Sequence, residues 1–407
     1  MTPRLALVGL ALCAAGAAQA QESLLPSTGW GIATGLDAWH FSKPIPQASG
    51  AVADVAEFAI PFRVRSVFGR WSFDLSGAAA AGAVHLTAAS SAQGSASGSG
   101  QGDGGDRLVS IYGPTDVKLR LTGPFAVEGF TVTAGVNVPT GKVGLNGDET
   151  SALQAVGAPA LRMPVGAFGT GLGMTLGLIR TVEGDDWAAA FGGSVEQRNE
   201  YSPIALALGT GKAETRVAPG MAVHVTAGLD RAAGDGRWSV LAVGDVFAKD
   251  KVSVTGSTDG SNDYTLGPQL TVTSQLALAA AGWREASFNV GARYRSEYSD
   301  AMGAKVSGSS GTYLEASLGG VRGGSLGSGF IIAADGRWHS GLKFTDAMVG
   351  AAVTAAGLTL GYERAGDQTL ARYTIHGQFG SFDTGTTKAT GFGVTLGLSI
   401  AARREAR

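Results

Sequence analysis

Hydrophobic and polar residues alternate along much of this chain with a period of two. In the stretch SFNVGARYRSEY at 287–298, Phe288, Val290 and Tyr294 fall on one parity and the charged residues fall on the other. Side chains of an extended strand point alternately to opposite faces, so this period indicates a β-strand. Such a strand fits a soluble sheet, which has core on one side and water on the other. It fits equally a membrane barrel, which has lipid outside and a wet lumen inside.

The length of the alternating stretches separates these two cases. Strands of soluble sandwiches are usually about 5–6 residues long, whereas a membrane strand needs about 9–11. Several stretches here reach the longer size, which favours the membrane barrel over a secreted soluble β-protein. The alternation recurs at 57–65, 70–76, 116–121, 130–138, 221–229, 266–278, 372–379 and 391–400.

Turn signals separate the alternating stretches, and short connections alternate with long ones along the chain. This is typical of a transmembrane barrel, which has tight periplasmic turns and longer outer loops. Tryptophan lies beside many of the turns, as expected for aromatic girdles at the membrane interface. The short turn signals are at 68–70, 183–186, 233–237 and 365–368, and the long ones are at 90–106, 141–154, 255–263 and 382–390. The tryptophans concerned are Trp30, Trp71, Trp187, Trp238, Trp283 and Trp338.

Composition narrows the class further. Charged residues make up only 16% of the 407 residues, and glycine is abundant at 64. The net charge of −2 gives no basic surface for nucleic acid. Cys13 is the single cysteine, which excludes a disulfide framework. The longest weakly polar stretch, 348–360, is too short for a membrane helix of about 20 residues, so a membrane-embedded chain would have to span as strands.

The N-terminus predicts export and fixes the expected domain boundaries. Arg4 is followed by an apolar segment, and Ala18-Gln19-Ala20 has the small-x-small pattern of a cleavage site. We therefore expect a signal peptide at 1–20 and a short periplasmic segment at 21–28. The barrel is expected at 29–400, and a polar C-terminal tail at 401–407.

The predicted fold is all-β: a single closed antiparallel transmembrane barrel of about 14–16 strands, without an N-terminal plug. An arginine on the lipid face costs about 2–4 kcal/mol at mid-depth, so the charged parity must face the lumen. These residues are expected to line the lumen and to tune selectivity, or else to pair and fill the barrel. They are Arg63, Arg65, Asp74, Lys118, Arg120, Glu196, Arg293, Arg295, Glu297 and Glu315.

Residues 113–182 resemble a known family. YGPTDVKLRLTGPF leads into VTAGVNVPTGKVGLNGDE and then APALRMPVGAFGTGLGMTLGL: a Gly-x-x-Asp strand, a strand ending in Pro-Thr-Gly-Lys, an acidic loop and a Gly-rich strand. The pattern is similar to outer-membrane transporters of meta-cleavage phenol degradation, distant relatives of fatty-acid and toluene channels. The resemblance implies a barrel that passes small, often hydrophobic or aromatic, solutes. Two features depart from it: a strand already opens at Trp30, leaving no room for a plug, and AARREAR follows the last strand.

The chain contains no motif that specifically indicates catalysis or the binding of a phosphate or a metal. The PTGK and GTGK stretches ending at Lys142 and Lys212 lack the first glycine and the final hydroxyl residue of a phosphate loop. His339-Ser340 and the pair His40 and Asp37 are the local candidates for catalysis, but neighbours on a strand point to opposite faces. The acidic loops 103–106 and 259–263 could hold calcium, although solvated turns explain them as well. We expect no catalytic residue, no metal site and no cofactor.

The expected function is passive passage of small solutes, possibly hydrophobic or aromatic, across the outer membrane of a Gram-negative-type cell. Two alternatives stay open: a non-conducting structural or adhesive barrel, and an outer-membrane enzyme of lipase or protease type. The expected partners are outer-membrane lipid, the barrel-assembly machinery during insertion, and the solute, with no nucleic acid. The sequence leaves the oligomeric state and the identity of the solute open.

Overall fold

The computed structural model describes residues 29–47, 49–88, 106–208, 211–255, 263–278, 280–323, 328–342, 347–366 and 368–402. The predicted signal peptide and periplasmic segment lie outside this part of the chain. So do residues 403–407 of the predicted tail.

Strands make up most of the described residues. Their bounds are β1 Gly29–Gln47, β2 Gly50–Phe68, β3 Trp71–Thr87, β4 Arg107–Pro114, β5 Val117–Pro124, β6 Phe130–Val138, β7 Gly173–Glu183, β8 Trp187–Arg198, β9 Tyr201–Leu208, β10 Gly211–Ala218, β11 Ala222–Ala233, β12 Gly236–Phe247, β13 Lys251–Val254, β14 Gln269–Leu278, β15 Trp283–Arg295, β16 Gly311–Arg322, β17 Ser328–His339, β18 Ala352–Ala365, β19 Thr369–Asp383 and β20 Lys388–Ala402. Two helices are described, α1 Gly147–Val156 and α2 Ala347–Gly350. No described helix has the length and apolar character needed to span a membrane.

The main sheet closes on itself. Each strand pairs antiparallel with its neighbour, and β20 returns to β1 along a register that runs from Trp30↔Ala402 to Phe41↔Gly391. The strands β4 and β5 both pair with β3 and form one interrupted strand. Counted this way, the barrel has sixteen strands. The predicted fold class is confirmed, and the count lies at the upper bound of the expected 14–16.

Three strands lie outside the barrel wall. The strand β10 pairs with β9 on one side and with β13 on the other, which makes a separate three-stranded sheet. β9 and β10 belong to the connection from β8 to β11, and β13 belongs to the connection from β12 to β14. This small sheet therefore lies at one end of the barrel.

The two ends of the barrel differ in the length of their connections. Strands β1 and β20 start and finish at the same end, where the connections are short, such as 69–70 and 234–235. The opposite end carries the longest connections, among them 139–172 and 199–221. In a barrel of this kind the short-turn end is periplasmic and the long-loop end is external.

The outer face of the wall is apolar. On β15, Phe288, Val290 and Tyr294 are exposed on the outer face. On β20, Phe392, Leu396 and Ile400 are exposed in the same way. This exposed apolar band is the surface that lipid covers in a transmembrane barrel.

Tryptophan marks the short-turn end of the barrel. Trp30, Trp71, Trp187 and Trp283 lie at or next to the first residue of their strands, and Trp238 lies two residues inside β12. All five of these strands begin at the periplasmic end. Trp338 is the exception among the predicted girdle residues, because it lies at the external end of β17. The girdle is therefore concentrated at one interface.

Candidate solute channel

The connection 139–172 between β6 and β7, here called the inner loop, folds into the lumen. Its residues Val156, Leu161 and Phe168 are buried in one apolar cluster together with wall residues such as Trp39 of β1 and Val84 of β3. The apolar side chains contributed by this part of the wall are thus covered by protein. The resemblance assigned a Gly-rich strand to the segment 158–178; that assignment is wrong for 158–172, which are not in a strand, since β7 begins at Gly173.

Asp116 holds both ends of the inner loop against the wall. This buried carboxylate lies in the break between β4 and β5. One oxygen accepts from the backbone N–H of Gly141 at 2.8 Å. The other accepts from the backbone N–H and the hydroxyl of Thr170, at 2.7 and 2.9 Å, and from the Asn137 amide at 2.9 Å. The Gly-x-x-Asp and Pro-Thr-Gly-Lys motifs therefore meet at one buried clasp.

The helix α1 is the first part of the inner loop that packs inside the lumen. Asn146 caps its N-terminus in a capping box with Glu149. Lys142 reaches Glu149 at 2.5 Å. Burial raises the pKa of Glu149, but hydrogen bonds from Lys142 and from the Asn146 backbone outweigh it, so the net pKa lies below its usual value.

Small residues in the wall let α1 approach closely. A Cβ added to Gly82 of β3 would lie 2.8 Å from Val156 Cγ2, which is closer than real Cβ atoms come. Gln47 of β1 donates from its amide to the Ser151 carbonyl at 2.9 Å. The wall thus provides both the space and a polar anchor for this helix.

Past α1 the inner loop crosses towards β2. The Val165 backbone N–H donates to the Glu57 carboxylate at 3.1 Å, and Glu57 is fully buried. Glu57 lies directly opposite Asp37 in the β1–β2 register, and both face inward. Two carboxylates therefore occupy the packed interface side by side.

The tip of the inner loop reaches β16 and β17. The Ala160 carbonyl accepts from Arg337 at 3.2 Å, and the Arg337 guanidinium lies over the Trp39 ring at 5.5 Å. Arg162 has a positive φ of 55° and pairs with Glu315 at 2.7 Å. The loop therefore divides the lumen into a packed side and an open side, with Arg162 at the boundary.

The open side contains a cavity of about 630 Å³, which polar and apolar residues line together. It is lined by β11, β12, β14, β15, β16 and β17 together with Arg162 of the inner loop. No aromatic side chain is among the lining residues of the described chain. The polar and charged lining residues are Arg162, Asp230, Arg237, Ser239, Thr273, Ser274, Gln275, Asn289, Glu315, Ser317 and Asp335.

The charged groups of this cavity are paired. Arg162 pairs with Glu315 as described, and Arg237 Nε lies 2.5 Å from Asp230. Asp335 lies 2.9 Å from His376 Nε2. The cavity thus carries both signs of charge: Asp230 and Glu315 pair with arginine, and Asp335 lies beside a histidine that is charged only when protonated.

The predicted site residues of the first strands lie near the periplasmic end. Arg63 forms a two-pronged pair with Asp74, at 2.8 and 2.5 Å. Arg65, Lys118 and Arg120 share the inward parity of these strands. In the register, Arg65 and Arg120 both lie opposite Asp74, so this set is a mixed-charge patch on β2, β3 and β5.

The predicted residues of the later strands lie elsewhere. Arg293 faces inward, over the Tyr313 ring at 5.4 Å, and Arg295 is the last residue of β15. Both are near the external end, whereas the first set lies near the periplasmic end. Glu196 on β8 pairs with Arg198 at 3.3 Å and lies 3.7 Å from His224.

Glu297 is not on a strand. The strand β15 ends at Arg295, and Glu297 accepts from the Gly308 backbone N–H at 3.1 Å within the external loop 296–310. It stabilises that loop instead of continuing the inward row of β15. Glu315, in contrast, lies at the tip of the inner loop through its pair with Arg162.

The candidates for chemistry do not come together. His40 lies on the outer face beside Asp54, at 2.6 Å, whereas Asp37 faces the lumen and accepts from the Thr395 hydroxyl at 2.5 Å. His339 Nδ1 lies 3.2 Å from the Ala351 carbonyl. Most of the acidic loops 103–106 and 259–263 lies outside the described residues.

Arg162 is the main functional residue that sequence reasoning missed. The sequence predicted a long connection at 141–154, and the resemblance assigned Arg162 to the Gly-rich strand that follows it. One signal was present: SALQAVGAPALRMPVGAF at 151–168 has a single charge, which is unusual for a solvent-exposed loop. That signal indicates burial, although it does not say against which part of the wall.

Comparisons with known proteins give fold likenesses at low identity. No family model matches the chain, and no curated protein matches it. Among solved structures, a bacterial polysaccharide outer-membrane secretin matches with 9% identity and a TM-score of 0.41, covering 92% of this chain and 99% of that one. OpdK of Pseudomonas aeruginosa, solved with vanillate, gives 12% and 0.40, covering 92% and 98%. The CymD monoaromatic hydrocarbon channel gives 7% and 0.37, covering 93% and 89%.

This chain is thus similar to solved outer-membrane barrels, including a channel. The TM-scores lie below 0.5, so what those proteins bind says nothing about this one. The proposals that follow rest on the geometry of this chain.

Proposed function

We propose that the protein is an outer-membrane channel for the passive passage of small water-soluble solutes. The observation that carries this proposal is the cavity of about 630 Å³ beside the inner loop, inside a closed barrel. A cavity lined by amides, hydroxyls and paired charges stays hydrated, because leaving such groups without hydrogen bonds is costly. The solute would pass between the Arg162 tip and the wall formed by β11, β12 and β14 to β17.

The lining favours polar solutes over hydrocarbons. The resemblance implies hydrophobic or aromatic solutes, and such solutes are usually held by apolar and aromatic side chains. The described lining has no aromatic residue and several polar ones. Amphipathic aromatic solutes stay compatible with this lining, through its polar groups and through inward apolar residues such as Leu241.

The rival from another class is a closed structural barrel. The packed side of the lumen supports it, because the inner loop already fills the space beside β1 to β4. The open side supports the channel. Conductance across a membrane decides between them, since a closed barrel carries no current above background.

The test uses purified full-length protein in a planar bilayer, with Arg162→Gln as the informative variant. Wild-type protein should conduct well above background. Arg162→Gln removes the cation that compensates Glu315, so its reversal potential under a salt gradient should shift towards cation preference. Arg322→Gln is the matched control, because Arg322 is exposed on the outer parity of β16.

Three outcomes are informative. A shift in Arg162→Gln alone supports passage beside the inner-loop tip. An equal shift in both variants indicates a general effect of lost charge and contradicts this path. A wild-type protein that carries no current supports the closed barrel.

A further inference from the structure

A row of polar residues crosses the open wall from strand to strand along the pairing register. In the pairing register, Ser239 of β12 lies opposite Gln275 of β14, and Gln275 lies opposite Asn289 of β15. The row continues through Ser317 and ends at charged residues on both sides. This polar belt consists of Asp230, Ser239, Gln275, Asn289, Ser317 and Asp335 on six adjacent strands.

All six belt residues line the cavity. Neighbouring strands lie about 4.8 Å apart, so the belt presents a hydrogen-bonding group at each such step around the wall. The next inward row towards the external end begins with Gly228 and contains Gly291. A Cβ added to Gly291 would lie 2.8 Å from the Glu315 carboxylate, so the Glu315 side chain, which pairs with Arg162, occupies the space at this position.

The centre of the belt has hydrogen-bonding capacity to spare. Asn289 donates to Ser317 at 3.2 Å. No side-chain hydrogen bond of Ser239 or Gln275 occurs among the residues that the structure describes. An amide offers two donors and an acceptor, and a hydroxyl offers one donor and accepts as well. These groups can exchange water for a solute that donates and accepts at several points.

The ends of the belt are acidic residues with basic neighbours. Asp230 is held by Arg237, and Asp335 lies beside His376. Within this cavity Arg162 is also paired, with Glu315. An ion would gain little from such a lining, because attraction to one partner is offset by repulsion from the other.

From this arrangement we propose that the belt recognises small, neutral, hydroxyl-rich solutes, of the chemical class of a monosaccharide. The inference rests on the proposed channel function and names its substrate class. A polyol donates and accepts hydrogen bonds around its whole perimeter, which matches amides and hydroxyls spaced along a curved wall. Neither a net charge nor an aromatic face on the solute finds a complement in this belt.

The test compares two neutral solutes of nearly equal molar mass in a proteoliposome swelling assay. Arabinose is rich in hydroxyl groups, and triethylene glycol has few. The informative protein is the double variant Gln275→Met, Asn289→Leu, which keeps side-chain volume and removes the amides. Thr271→Val is the control, because Thr271 is an inward residue of β14 that lies outside the belt.

Arabinose should enter wild-type liposomes faster than triethylene glycol. In the double variant the arabinose rate should fall about five-fold for each hydrogen bond lost, while the triethylene glycol rate changes little. Thr271→Val should resemble wild type for both solutes.

Other results would overturn the inference separately from the channel function. An equal fall for both solutes means that the belt sets only the width of the path. Unchanged rates in the double variant mean that the belt is not on the path. Wild-type liposomes that admit neither solute, from protein that also carries no current, contradict the channel itself.

Discussion

The two sides of the lumen follow the same strand alternation but present different inward residues. On the packed side, the wall supplies small and apolar residues such as Ala59, Ala80 and Val84, and the inner loop covers them. On the open side, the wall supplies the belt amides and hydroxyls, and no segment of the described chain covers them. Apolar surface gains free energy when protein replaces water, whereas unpaired polar groups lose it. The polarity of the inward face therefore indicates which part of a barrel lumen is filled by protein and which part holds water.

Carboxylates also differ between the two sides. Asp116 and Glu57 on the packed side accept hydrogen bonds from inner-loop backbone N–H groups. Asp230 and Glu315 on the open side pair with arginine side chains. The carboxylates on the packed side hold the inner loop in place. Those on the open side are neutralised by arginine, and the surface around them stays hydrated.

Asp116→Ala is expected to have the largest effect on the difference between the packed side and the open side of the lumen. The substitution leaves the Gly141 and Thr170 N–H groups without their acceptor, and a buried unsatisfied donor costs about 1–3 kcal/mol. The inner loop should leave the lumen, which removes the distinction between the two sides. Single-channel conductance should rise, and protease should cut within 139–172 while the barrel stays intact.

Asp186→Ala is the control for that experiment, because Asp186 is an exposed turn residue at the opposite end, paired with Arg231. It should leave conductance and cleavage unchanged. An Asp116→Ala protein with wild-type conductance and an uncut loop would show that the apolar contacts alone hold the packed side.

A smaller effect is expected at Glu57, where two variants separate acceptor from charge. Glu57→Gln keeps an acceptor for the Val165 N–H and removes a carboxylate opposite Asp37. Its free energy of unfolding should therefore equal or exceed that of wild type. Glu57→Leu removes the acceptor and should lower the free energy of unfolding by about 1–3 kcal/mol. Urea unfolding followed by tryptophan fluorescence measures both, and equal losses would contradict the assigned hydrogen bond.

The smallest effect is expected on the open side, from Arg293→Gln with Arg295→Gln. Neither arginine forms an ion pair with another described residue, so together they favour anions at the external mouth. Their loss should shift the reversal potential towards cation preference at 0.1 M salt, where the Debye length is about 10 Å. The shift should shrink at 1 M salt, and the outer-face variant Arg322→Gln should show none. A salt-independent shift would indicate a structural change instead of a lost field.

The inward and outward faces of the wall strands could be predicted from the sequence, because the alternation of side chains depends only on neighbouring residues. The parity of 287–298 predicts an outward Phe288 and Val290, and the exposed band of β15 agrees with it. The bounds were less accurate: β15 ends at Arg295, three residues before the end of the alternating pattern, and β20 continues to Ala402. Strand ends depend on where loops begin to pair with one another, which the alternation does not record.

The site was predicted only in part. Glu315 was among the expected lumen residues, but its partner Arg162 lies 153 positions earlier, in a segment that the resemblance assigned to a Gly-rich strand. The selectivity role of the predicted charged residues stays a prediction. Asp116 occupied a recognised motif, yet nothing in the motif shows that Gly141 and Thr170 converge on it.

The sequence by itself determined the strand faces, the closed all-β architecture and the alternation of short and long connections. These follow from the period of two and from the cost of charge in lipid, which act residue by residue. Only the tertiary structure decided that the third external connection turns inward, that Asp116 holds it there, and that the belt stays uncovered. Those outcomes depend on contacts between residues far apart in the chain, and such contacts exist only after the sheet has closed.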